Sequence, residues 1–184
     1  MKQGLILIDI QNDYFTGGNM ELVGMEQAAH NAALVLQKSR EEHLSIIHIQ
    51  HISIRPGSTF FLPDTHGAEI HGSVAPLPGE IIIQKYFPNS FRDTDLLSIL
   101  KKSGVESVVI CGAMSHMCVD ATTRAAFDFG FRCTVIEDAC ATRNLVFKGM
   151  TIEAGIVHAA FMAALSFPYA KVVSAYEFIH RQAQ

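Results

Sequence analysis

Short apolar runs alternate with stretches whose apolar residues recur every three or four positions. Gly4–Asp9 (GLILID), Ser45–Gln50, Glu80–Gln84 (EIIIQ), Ser107–Cys111 (SVVIC), Arg132–Ile136 and Lys171–Ser174 have the length and branching of buried strands. Between them, Met25–His43 places Ala28, Ala29, Ala32, Val35 and Leu36 on one helical stripe. A second helix precedes the fourth strand: Thr94 caps it, Leu96, Leu97 and Leu100 face inward, and Gly104 ends it. A third runs from near Cys118 to Asp128 with Gly130 as its stop, a fourth spans Thr151–Leu165 ahead of Pro168, and a short C-terminal helix follows. Strands that are apolar throughout, joined by helices, need both sheet faces covered. The expected fold is a three-layer α/β/α sandwich around a mostly parallel six-stranded, Rossmann-like sheet. No repeat or linker divides residues 1–184, so one domain is expected.

One connection departs from this rhythm. His51–Gly79 has no sustained period but carries four prolines and four glycines. Loops longer than about 12–15 residues are uncommon in compact domains and are often lids or binding loops. Phe60, Phe61 and Leu62 mark this one as a segment that packs against its own domain or a second subunit.

Composition narrows the function. With 14 Lys+Arg against 18 Asp+Glu, the net charge is −4 and the basic residues are scattered, unlike the basic patch of a nucleic-acid binder. No stretch has the ~20 apolar residues of a membrane span, and no signal-peptide pattern opens the chain. Cys111, Cys118, Cys133 and Cys140 form no CxxC pair, which fits reduced thiols and a cytoplasmic protein. Charged residues are only 17% of the chain, a low share that suits subunit contacts, so a homo-oligomer is expected. G-x-G-x-x-G, a complete Walker motif and G-x-S-x-G are all absent.

In open parallel sheets, ligands bind beyond the carboxyl ends of the strands. Asp9 ends the first strand, Lys85 follows the third, and Cys118 lies just past the fourth at a helix start. A carboxylate, an ammonium and a thiol therefore share one rim, the parts of an activated nucleophile. A Lys ~4 Å from the thiol would contribute about 4 kcal/mol at an effective dielectric of 20, and a helix start about 0.3–1 kcal/mol. On that comparison Lys85 is expected to acidify Cys118. Asp9, which would oppose this as a charge, is expected to serve as proton acceptor. Cys111 and Cys133 are expected in the core, and Asp138 is expected to cap a turn.

LILIDIQNDYF at Leu5–Phe15, the K-x5-F segment Lys85–Phe91, GAMSHMCVDATTRAAFDFG at Gly112–Gly130 and the following TVIEDACAT occur in an order that resembles the isochorismatase-like cysteine hydrolase superfamily. That superfamily includes isochorismatases, nicotinamidases and other small-amide hydrolases. The resemblance implies a catalytic triad of Asp9, Lys85 and Cys118, and a cis peptide between Ala113 and Met114. It also implies an oxyanion hole of the Met114 and Cys118 amides, and hydrolysis of a C–N bond of a small-molecule amide through a thioester. It further implies an oligomer, here a dimer or tetramer. Tyr14, Phe91 and His116 flank these motifs and are expected on the pocket wall. Ser115 stands where Thr is common. Nicotinamidases resemble one another in a metal-binding Asp-x-His pair after the second strand; here that stretch reads Gln50-His51-Ile52-Ser53, with no carboxylate. His48 and His51 have an odd spacing that points them to opposite faces, and His66 and His71 lie in the long loop. No metal and no cofactor are expected. The alternatives are vinyl-ether hydrolysis with Asp9 as acid and no thiol nucleophile, or a non-catalytic binding protein on the same fold.

Overall fold

The computed structural model describes residues 2–181. β1 (Gln3–Ile8), β2 (Ser45–His51), β3 (Ile81–Lys85), β4 (Ser107–Ala113), β5 (Arg132–Ala141) and β8 (Ala170–Val173) form one sheet in the order β3-β2-β1-β4-β5-β8. Every pairing in it is parallel. The strand order reverses between β1 and β4. Right-handed crossovers on the two sides of that point put their helices on opposite faces. α1 (Met25–Glu41) packs with α5 (Ala175–Ile179), and α3 (Asp120–Asp128) packs with α4 (Ala154–Leu165). α2 (Leu96–Lys102) leads into β4; Asp95 is its cap residue, and Thr94 Oγ1 accepts the Leu96 N–H at 3.3 Å. Leu5–Ile8 and Val108–Cys111 form the centre of the core. No helix among the described residues is long and apolar enough to cross a membrane.

Two element boundaries shift by three residues or more from the sequence expectation, and one residue takes another role. β5 continues to Ala141, five residues past Ile136, because a register shift between Ile110 and Gly112 lets its second half pair with the end of β4. Gly112 makes that shift possible: its φ is +122°, and a Cβ there would overlap the Ile8 carbonyl. The expected helix from Thr151 begins at Ala154, because Leu145–Phe147 (β6) and Met150–Ile152 (β7) form an antiparallel hairpin first. Asp138 lies within β5, and its Oδ1 accepts the Ala175 N–H at 2.7 Å, so it holds the start of α5 and not a local turn. Cys111 and Cys133 are buried, as expected.

The long connection is fastened to the body by two residues of the LILIDIQNDYF motif. Gln11 bonds the His51 N–H and C=O and the Ala68 carbonyl at 2.7–2.9 Å. Asp13 accepts from the Phe61 amide at 2.6 Å and from Asn19. Phe61 is thereby buried against Tyr14, with ring centroids 4.5 Å apart.

At the far edge Glu80 ties three elements together. Arg40 of α1 donates to both of its oxygens at 2.7 and 2.8 Å, and His48 of β2 bonds it at 2.9 Å. The Arg40 hydrogen bonds hold the Glu80 pKa down, from 4.5 to about 2. A depressed folded-state pKa means the unfolded chain binds more protons between those two values, so this contribution is present above pH ~4.5 and is lost as pH falls toward ~2. Urea midpoints of the Glu80→Gln variant should therefore fall less steeply than wild type across that window. Parallel curves would show that the cluster contributes nothing pH-dependent.

Candidate active site

The cluster forms where β1 and β4 diverge, the place an open α/β sheet offers a ligand. Asp9 follows β1 with φ +52°, a left-handed conformation that Asp tolerates better than most residues. That turn sends its side chain under the sheet rim, where it is 0% exposed. Lys85 ends β3 and is also 0% exposed. Its Nζ lies 2.7 Å from Asp9 Oδ2, 3.0 Å from His51 Nδ1 and 3.3 Å from Cys118 Sγ. An ammonium has three N–H groups, and all three are used. His51 reaches the cluster because its residue pairs in register with Lys85 on the adjacent strand.

Cys118 sits in a π-helical turn, Ser115–Val119, that precedes α3. The wide turn is closed by Val119 N–H to Met114 C=O at 3.2 Å, and such turns recur at functional sites. The Ala113–Met114 peptide bond before it is cis. No protein acceptor meets the Met114 N–H among the described residues. Ser115 is buried away from the cleft, its hydroxyl between Ala141 O (3.2 Å) and His158 Nδ1 (2.9 Å).

The electrostatics reverse one expectation. Cys118 is 4% exposed, and burial first, then the Asp9 charge, push its pKa up to about 12. Lys85 pulls in the other direction and does not prevail, because its charge is already matched by Asp9 at 2.7 Å. The resting site is thus a neutral thiol beside a carboxylate–ammonium pair, not a preformed thiolate. Burial alone would lower the Lys85 pKa, but Asp9 and Cys118 outweigh it and the net shift is upward. His51 is pulled down to about 4 by burial, with the Lys85 and Arg55 charges adding and Asp9 opposing. It is therefore neutral near pH 7. Tyr14 is raised well above the usual tyrosine range by burial first, then by Cys118 and Asp9. Among the described residues Asp9 Oδ1 is buried without a hydrogen-bond partner, and an oxygen of this carboxylate lies within 4.8 Å of Cys118 Sγ.

A cavity of about 260 Å³ opens above Cys118 and Met114, and Tyr14 lines it as expected. Phe91 and His116 do not. Ser90 is pinned to Thr122 Oγ1 through its N–H (3.0 Å) and hydroxyl (2.8 Å), which turns Phe91 into the core against Phe129 and Phe131. His116 is drawn to Thr142 Oγ1 at 2.6 Å, edge-on to Phe161. His48 and His51 do face different surroundings: Glu80 for one, Lys85 for the other. His66 pairs with Glu69 and His71 stacks on Phe15, both outside this cavity. Sequence reasoning missed His51, Arg55 and Arg143 as cavity residues; only the adjacency of His51 to the end of the second strand hinted at one of them.

Asp9, His51 and Cys118 could in principle offer three metal ligands, with donor atoms within 4.8 Å of one another. Lys85 Nζ already bonds all three residues. An incoming cation would face that ammonium, so this donor set does not fit a metal.

A parallel α/β sheet with a buried Asp–Lys–Cys cluster at its switch point defines the class of protein. The isochorismatase domain model matches residues 3–164, and the chain belongs to the isochorismatase family of hydrolases. It is 48% identical over 179 residues to the uncharacterized isochorismatase family protein YddQ of Bacillus subtilis, covering 97% of this chain and 99% of that protein. A crystal structure of an isochorismatase hydrolase from Oleispira antarctica superposes with a TM-score of 0.94 at 50% identity, covering 98% of this chain and 97% of that one. The ureidoacrylate amidohydrolase of Cronobacter sakazakii is 26% identical over 171 residues, 75% of this chain and 74% of that protein.

Proposed function

We propose that the protein is a metal-independent cysteine hydrolase that cleaves a C–N bond of a small amide. One observation carries this reading: the Cys118 sulfur lines a cavity and lies 3.3 Å from the Nζ of Lys85, which is paired with the buried Asp9 carboxylate at 2.7 Å. In the proposed reaction Asp9 accepts the Cys118 proton as sulfur attacks the amide carbonyl. The negative charge that moves from Asp9 to sulfur stays next to Lys85, so no net charge is created in the buried site. The Met114 and Cys118 amides receive the oxyanion, an interaction worth roughly 2.7–4 kcal/mol per donor where one has been removed elsewhere. Asp9 returns its proton to the leaving nitrogen, and the C–N bond breaks to leave a Cys118 thioester. Water then attacks the thioester, giving its proton to Asp9; the carboxylic acid departs, and that proton returns to sulfur. The ureidoacrylate amidohydrolase relative supports amide over vinyl-ether chemistry.

Ammonia release from a panel of primary amides, with acid quenching and peptide mass mapping, tests the proposal. The expected result is turnover and an acyl adduct on Cys118. Vinyl-ether cleavage without an adduct would replace this reading with the isochorismatase one, and no turnover of either kind would leave a binding protein.

A homo-oligomer is part of the same proposal. Val146, Phe147 and Met150 on the β6–β7 hairpin and Ile156 on α4 are 61–71% exposed, more apolar surface than isolated residues present. All four cysteines are free, which supports placing the protein in a reducing compartment such as the cytoplasm.

A further inference from the structure

The cavity above Cys118 is lined by two arginines, Arg55 and Arg143, and by no carboxylate. Among the described residues neither guanidinium has an acidic partner within 4.0 Å; Arg40, Arg92, Arg124 and Arg181 each have one, and the third arginine without one, Arg132, is exposed at the start of β5, away from this cavity. Among the described residues the one side-chain hydrogen-bond partner of Arg143 is Met20 Sδ at 3.6 Å, itself part of the cavity wall. A third donor follows from the Lys85 geometry. An ammonium can only donate, so His51 Nδ1, 3.0 Å from Nζ, must accept. The ring hydrogen is then on Nε2, which has no protein partner among the described residues, on a side chain that lines the cavity. Two arginines and a histidine N–H thus line one small cavity in a chain whose net charge is −4. A cleft of one sign focuses its field on an oppositely charged ligand, and guanidinium groups match a carboxylate's two oxygens.

We infer that Arg55, Arg143 and the Nε2–H of His51 form an anion subsite, so that the amide cleaved at Cys118 carries a carboxylate at its other end. This rests on the cysteine hydrolase reading for its scissile bond, but not for the subsite itself. A cavity of about 260 Å³ suits a short-chain amide acid, below the roughly 300–1,000 Å³ of sites for drug-sized ligands. The Asp9–Lys85 pair beneath the thiol is internally neutral, so the arginines dominate the charge that an entering ligand meets.

Two alkylating reagents test this without any hydrolysis. Iodoacetate and iodoacetamide both lose iodide to Cys118 sulfur and differ mainly in charge, so their rate ratio is independent of the thiolate fraction. The iodoacetate:iodoacetamide ratio for Cys118 should exceed that of N-acetylcysteinamide and shrink as salt is raised. It should fall about tenfold in Arg143→Gln and further in Arg55→Gln/Arg143→Gln, as expected when charge-assisted partners are removed. Succinate should protect Cys118 and its uncharged diamide should not. A ratio at or below the model thiol's, unchanged in the variants, would overturn the subsite. If neither reagent labels Cys118, calorimetric titration of succinate decides: binding that weakens tenfold or more in the double variant supports the subsite, and absent or unaltered binding removes it. A high ratio with no amide turnover would sink the hydrolase reading alone; turnover of neutral and anionic amides alike would sink the subsite alone.

Discussion

Cys118→Ala is expected to lose amide hydrolysis by about 10⁴-fold or more in kcat, the size of loss that follows deletion of a nucleophile that acts as a unit with its base. The physical reason is that Asp9, 0% exposed and held by Lys85 at 2.7 Å, has no line of attack on a carbonyl in the cavity. Only sulfur, which lines both the cluster and the cavity, can form the new bond. The variant should still fold, because the change deletes one sulfur atom at a site that already borders open space. Thermal denaturation checks the fold, and ammonia release with a purified preparation checks the activity. Retention of vinyl-ether cleavage by Cys118→Ala would show that Asp9 works without the thiol and would end the covalent scheme.

Lys85→Met should have the largest effect on the molecule as a whole. Removing one partner of a buried ion pair leaves the other charge uncompensated, typically at a cost of about 3–5 kcal/mol. Here the charge left behind is Asp9, and the variant also releases the His51 and Cys118 contacts made by the same nitrogen. Amide hydrolysis should fall by roughly 10³-fold or more, since nothing then balances the negative charge as it passes from carboxylate to sulfur. The paired variant Asp9→Leu/Lys85→Met separates the two losses: it should recover most of the stability, because no unpaired charge remains, and none of the activity. Urea denaturation and turnover measured on both proteins make the comparison. A double variant no more stable than Lys85→Met would mean that packing, not charge, governs this site.

The free thiol is the point on which local reasoning and the folded site part. From sequence spacing, Lys85 is the nearest plausible influence on Cys118 and predicts an acidic thiol. In the fold, the ammonium is shared among Asp9, His51 and Cys118, and desolvation of a 4%-exposed sulfur outweighs it. Burial and the division of one charge among three neighbours are properties of a packed assembly, and no motif encodes them by itself. The same holds for Phe91 and His116. Each flanks a motif closely enough to suggest the pocket, yet Ser90–Thr122 and Thr142 turn them elsewhere.

What the chain determined by itself was the order and type of its main elements. Branched apolar runs such as GLILID and SVVIC favour buried strands, and the helical stripe from Met25 binds the next layer, so the parallel sheet and its three layers were legible. Asp9, Lys85 and Cys118 were legible too, because strand ends in such a sheet converge on one rim. The tertiary structure alone decided that the resting thiol is neutral, that His51 completes the contacts of Lys85, and that Arg55 and Arg143 share one cavity wall. Those facts come from residues far apart in sequence: Arg55 in the long connection and Arg143 after β5 line one cavity, with Gln11 and Asp13 fastening the connection down and the Gly112 shift letting β5 continue to Ala141. Periodicity records which face of an element is buried, but not which distant side chain is packed beside it, and the charge balance of the site depends on that second relation.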